Sequence, residues 1–244
     1  MHRFFVDYPS DGLEEILITG DDVAHISKVL RLKEDDEITV CDSLGNDCLC
    51  SVSSISKDEV RAWILSRKKS NSEPPVEVAV FQGVPKGDKL DTVVQKCVEL
   101  GAVKIVPVAM KRSVALIKDK GKKKQRLQKI ALEASKQSAR AKVASVDEVM
   151  SFKDAVELAA KSYDLKLLPY EGEEVCSIKA VLKEATNPKS ICIFIGPEGG
   201  FDPAEVELAR ENGFSVVSMG PRIMRTETAP LAALSVVMYE LGDW

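Results

Sequence analysis

Histidine is almost missing from this chain: His2 and His25 are the only two among 244 residues. That leaves little room for a Ser-His-Asp triad, and no G-x-S-x-G turn is present to carry its nucleophile. No G-x-G-x-x-G opens a βα turn and no G-x-x-x-x-G-K-[ST] occurs, so the usual dinucleotide and triphosphate cradles are absent. The six cysteines, Cys41, Cys48, Cys50, Cys97, Cys176 and Cys192, lack metal-ligand spacing. Cys48 and Cys50 straddle one leucine and would share a strand face. With so few histidines beside them, buried free thiols are expected rather than a zinc site, and no metal is assigned. No apolar run approaches the roughly 18 residues a membrane helix needs. The first residues lack a signal-peptide pattern, so a cytoplasmic protein is expected.

What is present begins with charge. The net balance of −4 argues by itself against a nucleic-acid partner, but its distribution argues the other way. Residues 104–142 carry 13 Lys/Arg against only Asp119 and Glu133. A segregated basic stretch is an electrostatic footprint for phosphate even on an acidic chain; the competing account is a solvated helix face.

The first 67 residues read as a small β-rich unit. Arg3–Val6, Ile16–Ile18, Glu37–Cys41, Cys48–Val52 and Val60–Leu65 are short and β-prone, with a turn at Leu44-Gly45-Asn46-Asp47. One helix interrupts them from Asp21 or Asp22 to Leu30, with Val23, Ile26, Val29 and Leu30 on its apolar side. The polar segment Lys68 to Pro75 ends in two prolines and is the expected linker. Strands and helices alternate beyond it, as βα units do. Helix spacing is clear at Asp88–Leu100 and Lys122–Ala139, and Asp202-Pro203-Ala204-Glu205 is a strong helix start with a capping box.

Two late glycine loops are the most informative feature. Ile195-Gly196-Pro197-Glu198-Gly199-Gly200-Phe201 follows the apolar run Ile191–Phe194. Gly220-Pro221-Arg222-Ile223-Met224-Arg225-Thr226-Glu227-Thr228-Ala229 follows Val216-Val217-Ser218-Met219. Loops at the carboxyl ends of strands are where an open α/β sheet binds small molecules, so a cofactor pocket is expected. Their late position disfavours a Rossmann dinucleotide site, whose glycine loop opens the domain.

These two strings resemble those of the RsmE family, 16S ribosomal RNA (uracil-N3)-methyltransferases of the SPOUT (trefoil-knot) superfamily. The resemblance extends over the chain, through Met1-His2-Arg3-Phe4-Phe5, His25 to Leu32, Lys86-Gly87-Asp88-Lys89, Arg112-Ser113-Val114, Glu133-Ala134, Gln137-Ser138 and Arg140. Lys111 stands where an acidic residue is common, and Met224 where leucine is usual. The resemblance implies a PUA-like, RNA-binding β-barrel over 1–70 and a SPOUT α/β methyltransferase domain over 75–244 with a deep C-terminal knot. It also implies S-adenosyl-L-methionine as donor, a homodimer, and 16S rRNA of the small subunit as partner. No membrane is involved.

On that resemblance Leu168, Ile195, Gly196, Pro197, Gly199, Gly200, Met219, Gly220, Ile223, Met224, Thr228 and Ala229 are the expected cofactor-binding residues, with the glycine loops offering backbone N–H and C=O groups. Arg225, Glu198 and Glu227 are the expected catalytic residues. Either a carboxylate takes the proton from the uracil imide nitrogen, or Arg225 and backbone donors stabilise charge on the uracil oxygens. Arg3, Lys28, Arg31, Lys86, Lys89, Arg112, Lys123, Arg126 and Arg140 are the expected RNA contacts, and the target base must be unpaired or extruded. The rival readings are another SPOUT enzyme, such as a ribose 2′-O-methyltransferase, and a non-catalytic RNA-binding assembly factor.

Overall fold

The computed structural model describes residues 2–42, 44–113 and 119–244, so Met1 and Val114 of the strings above lie outside the described residues. The chain divides into two compact units. Met1–Glu73 with Ser135–Val143 form the first, and Pro74–Ala134 with Ala144–Trp244 form the second.

In the first unit, β1 (Arg3–Phe5), β2 (Glu15–Thr19), β3 (Glu37–Cys41), β4 (Asn46–Ile55) and β5 (Glu59–Lys69) make one sheet in the order β1-β3-β4-β5-β2. β1 runs parallel to β3 and the remaining pairs are antiparallel. Alternation decides the faces. Ile38, Val40, Cys48, Cys50, Val60 and Ala62 point into a core with Phe4, Ile16 and Ile18, while Arg61 and Trp63 look outward. The sheet is a half-barrel, with β1 and β2 as its two ends. The Tyr8 hydroxyl meets the free edge of β2, accepting from Leu17 N–H and donating to Leu17 C=O, both at 2.8 Å.

The expected helix is α1 (Asp21–Ala24), which continues as a π-helix over His25–Leu30. Val23 and Ile26 are buried as the period requires, but Val29 is 67% exposed. The wider i→i+5 winding carries Val29 off the apolar face. The expected linker also starts later than Lys68, because Lys68 and Lys69 still pair with Asp47 and Asn46 as the end of β5. The segment 140–142 is held by Glu73, whose carboxylate accepts from Arg140 Nη2 (2.5 Å), Ala141 N–H (2.9 Å) and Lys142 N–H (3.1 Å).

The second unit is a parallel sheet covered on both faces. Its elements are β6 (Glu77–Gly83), α2 (Lys89–Glu99), β7 (Lys104–Ala109), α3 (Lys120–Gln137), β8 (Ser145–Val146), β9 (Met150–Ser151), α4 (Phe152–Ser162), β10 (Leu165–Pro169), α5 (Ile178–Glu184), β11 (Ser190–Ile195), α6 (Pro203–Glu211), β12 (Ser215–Val217) and α7 (Ala229–Leu241). The order is β12-β10-β11-β6-β7-β8, with β9 also on β7. β6 and β11 are buried along nearly their whole length, which is why they read as unbroken apolar runs. Period two divides them between two cores. Val78, Val80, Ile191 and Ile193 meet α2, α3 and α7 on one side. Phe81 and Phe194 stack at 4.4 Å on the other, against Phe152 and Phe214 from the α4 and α6 side. The pairs β8 and β9 escape sequence reading because two residues carry no period.

Five of the cysteines are buried and free, while Cys176 is half-buried. Burial pushes the Cys41 and Cys50 thiols up to about 12, so neither is a ready nucleophile. No described helix is long and apolar enough to cross a membrane.

One buried carboxylate makes the first unit sensitive to acid. Asp42 accepts from Ser10 N–H and Oγ, Leu44 N–H, and Asn46 N–H and Nδ2, all between 2.7 and 3.0 Å. Burial works to raise its pKa, but these donors prevail and hold the carboxyl well below the usual range. A carboxyl lowered in the folded state stabilises fully above the ordinary carboxylate range and ceases to do so as pH falls through its folded value. Urea unfolding at neutral pH should find Asp42→Asn less stable by about 1–3 kcal/mol. The deficit should shrink on acidification; a deficit independent of pH contradicts this assignment.

Candidate active site

Several segments converge at the carboxyl ends of β6, β10 and β11, where the chain direction switches from one half of the sheet to the other. That is the place an open α/β sheet offers a ligand. The loop Gly196–Phe201 leaves β11, Pro169 and Glu171 stand at the end of β10, Lys89 opens α2 after the loop that leaves β6, and the long loop after β12 leads into α7. Together they enclose a cleft of ≈ 530 Å³. Of the residues named from the sequence, Ile195, Gly196, Pro197, Gly199, Gly200, Ile223, Met224 and Ala229 line it, and so do Glu198 and Arg225. A smaller groove shares Ile223, Met224 and Ala229 and adds Met219 and Gly220.

Two glycines are obligatory for this shape. Gly200 has φ +68°, and a Cβ there would lie 2.5 Å from Glu171 Oε1. A Cβ on Gly83 would lie 2.6 Å from the nitrogen of Pro197, so the end of β6 and the β11 loop touch only because no side chain intervenes.

Several backbone groups of the first loop have partners within the protein. Gly196 C=O accepts from Thr226 Oγ1 at 2.7 Å, Gly199 C=O accepts from Arg112 Nη1 at 3.1 Å, and Gly200 N–H donates to Pro197 C=O.

Charge in the cleft is organised by Lys89, at the first turn of α2. Its Nζ donates to Glu198 Oε1 at 3.0 Å and stands 3.3 Å from Glu227 Oε2. The second is a charge contact: Glu227 Oε2 is buried without a hydrogen bond among the described residues. Lys86 N–H adds a bond to Glu198 at 3.1 Å. Partial burial works to raise the Glu198 pKa, but bonds from its own N–H, Lys89 and Lys86 hold it below the usual range. The Lys89 ammonium is raised, first by Glu198 and then by Glu227.

Several expected site residues stand elsewhere. Leu168 is fully buried in the core beneath the sheet end, since it is the inward residue of β10 beside Phe194 and Phe214. Thr228 is exposed at the N-cap of α7 and lines neither cavity. Arg140 is 3% exposed and bound to Glu73, and Arg3 forks onto Asp47 and reaches Arg140 C=O, so both serve the inside of the first unit. Arg112 lies over Gly199 and near Asp202; Lys123 and Arg126 meet Asp91, and Arg126 also Asp88. Lys28, Arg31 and Lys86 are exposed.

Sequence reading missed Pro169, Glu171, Phe201 and Thr226 in the cleft wall, and Gln82 behind it. Gln82 alone carried a signal, as a polar residue closing the apolar run Val78–Phe81.

Comparison with known proteins agrees with this architecture. A family described as an RNA methyltransferase domain matches residues 72–238, and one described as an RNA methyltransferase PUA domain matches 18–65. A Bacillus subtilis protein named ribosomal RNA small subunit methyltransferase E is 38% identical, covering 98% of this chain and 97% of its own. A protein of the same name from Mesomycoplasma hyopneumoniae is 31% identical, over 96% and 98%. The crystal structure of a ribosomal RNA small subunit methyltransferase E from Neisseria gonorrhoeae, bound to S-adenosyl methionine, superposes with a TM-score of 0.88 at 30% identity, covering 100% of this chain and 99% of that one. With the half-barrel, the parallel sheet and the cleft at its carboxyl edge in place, the chain belongs to the ribosomal RNA small subunit methyltransferase E family.

Proposed function

We propose that the cleft takes S-adenosyl-L-methionine and that the chain methylates N3 of a uridine in 16S rRNA of the small ribosomal subunit, as a cytoplasmic homodimer. The observation that carries this reading is the meeting of both glycine loops in one cleft, in a chain of this family. The domains are proposed as an RNA-binding PUA-like unit over 1–70 and a methyltransferase unit over 75–244, the second with the knotted C-terminus that the resemblance implies.

The residues present suit the donor. The cleft volume of ≈ 530 Å³ falls within the roughly 300–1,000 Å³ usual for small-molecule sites. Ile195, Phe201, Ile223 and Met224 give it apolar walls for a planar base, and the Glu171 carboxylate gives it an acceptor for hydroxyl or ammonium groups. When bound, S-adenosyl-L-methionine supplies a methyl group activated by its sulfonium. The protein's own part is to hold the uridine in line with that methyl and to manage the imide proton, and orientation alone is worth several kcal/mol.

Glu198 is poorly suited to take that proton, because its ionised form is already stabilised by Lys89 and Lys86. We assign it instead to anchoring the β11 loop. Glu227 shares Lys89 and serves the second loop in the same way. Arg225 lines the cleft from an exposed position and meets no carboxylate among the described residues. It is placed to stabilise negative charge on the uracil oxygens as N3 becomes nucleophilic. Lys28, Arg31 and Lys86, exposed cations, are the proposed phosphate contacts, joined by Lys89, Lys123 and Arg126 through their solvent-facing sides.

Support for the homodimer comes from α7. The helix is charge-free until Glu240, and it is apolar on its outer side as well as its inner one: Val236 is 39% and Tyr239 72% exposed. A helix apolar all round is expected to be covered.

Incubating the protein with S-adenosyl-L-methionine and small-subunit RNA or subunits, then mapping modified nucleosides by mass spectrometry, should yield 3-methyluridine. A ribose-methylated product favours the rival SPOUT chemistry, and no product favours an assembly factor. In single-turnover reactions at saturating donor, Arg225→Ala should slow methylation about 10²-fold. Glu198→Gln should slow it less than about tenfold, since a lost anchor costs less than a lost transition-state contact; the reverse ranking makes Glu198 the base. Sedimentation equilibrium at micromolar concentration should give a dimer that Tyr239→Glu converts to monomer. A monomeric unaltered protein contradicts the α7 assignment.

A further inference from the structure

We infer that Gln82 and Thr226 form a buried positioning relay that sets the distance between the two glycine loops, and through it the shape of the donor cleft. The inference rests on the donor-site reading above and extends it to two residues that act without being the reacting groups.

Gln82 is fully buried at the end of β6, beside Ile195 in the register of β11. Its amide orientation is decided by its surroundings. Gly83 C=O can only accept, so the nitrogen must face it, at 3.0 Å. The second N–H then goes to Thr226 Oγ1 at 2.9 Å. That bond occupies the hydroxyl oxygen as acceptor, and the Thr226 proton continues to Gly196 C=O at 2.7 Å. Three chain segments, the end of β6, the loop after β11 and the loop before α7, are thereby tied in one directed series.

This arrangement costs the fold something. Gln82 Oε1 is buried and has no hydrogen-bond partner among the described residues. Leaving such an acceptor unmet costs about 1–3 kcal/mol, comparable to what a relay of two or three neutral bonds returns. Net stability is therefore a weak reason for an amide at this point. What the relay provides is geometry. Thr226 and Gly196 both line the cleft, so a change in their separation changes its width directly.

The other tie between the loops cannot do the same. Lys89 joins Glu198 to Glu227, but these side chains are 25–33% exposed, the lysine stem is flexible and salt screens the charges. A buried, unscreened bond from a short β-branched side chain fixes a distance that a lysine bridge only limits.

The test compares the full chain with Thr226→Val, Thr226→Ser, Gln82→Met and the double variant Gln82→Met/Thr226→Val. Each is titrated calorimetrically with S-adenosyl-L-methionine and assayed for methylation of small-subunit RNA. Val and Met conserve volume while deleting the donors, so either remains informative where the other fails to fold. Each single change should weaken donor affinity and raise donor KM about tenfold, with the RNA KM unchanged. Thr226→Ser should restore affinity to within about twofold, and the double variant should be no worse than the poorer single one, as expected for members of one series. Folded variants that bind donor like the unaltered chain overturn the relay, as does a loss of melting temperature without loss of donor affinity, or a failure of serine to rescue. Failure of the unaltered chain to bind the donor is a different outcome: it removes the donor-site reading and the relay with it.

Discussion

The pairing of β11 with β6 is the constraint from which the site follows. Six residues stay in register, from Ser190 beside Glu77 to Ile195 beside Gln82. Both strands are buried on two faces, so a slip by one residue would exchange Phe81 and Phe194 with Val80 and Ile193 between two cores of different shape. The register therefore has little freedom, and it delivers the first glycine loop beside Gly83. From there the approach of Pro197 to Gly83 and the bond from Thr226 to Gly196 are local consequences. Core packing on the two faces of the sheet thus decides the width of a cleft at its edge.

Electrostatics in this chain works mostly over short range. The basic stretch looked from the sequence like a single phosphate-gripping surface, but many of its members have protein partners. Lys111 and Arg112 meet Asp202 beside the glycine loop, Lys123 and Arg126 meet Asp91 at the start of α2, and Arg140 is buried on Glu73. These cations shape loops before they can attract RNA. An acidic protein can act on a polyanion in this way if the remaining exposed cations are grouped where the nucleic acid arrives.

Legibility in the sequence followed physical period. The long amphipathic helices, the buried strands and the capping box at Asp202 could be read because spacing and cap chemistry are local properties. The two glycine loops were legible for the same reason, through Gly200 and its neighbours. What escaped was long-range. Nothing near Arg140 in the chain announces Glu73, and nothing near Thr226 announces Gln82, 144 positions away. The burial of Leu168 in the aromatic core was hidden too, because one inward residue of a strand end looks like another until the neighbouring aromatics are placed. The π-helical turn that exposes Val29 has no signature in apolar spacing, which assumes ordinary winding.

The most direct test is a crystal structure of the protein grown with S-adenosyl-L-methionine. The account predicts adenosyl density seated between Ile195–Phe201 and Ile223–Ala229, with those loops no farther apart than they are here. Density lodged elsewhere on the chain, or a cleft left without it at saturating donor, would contradict the account.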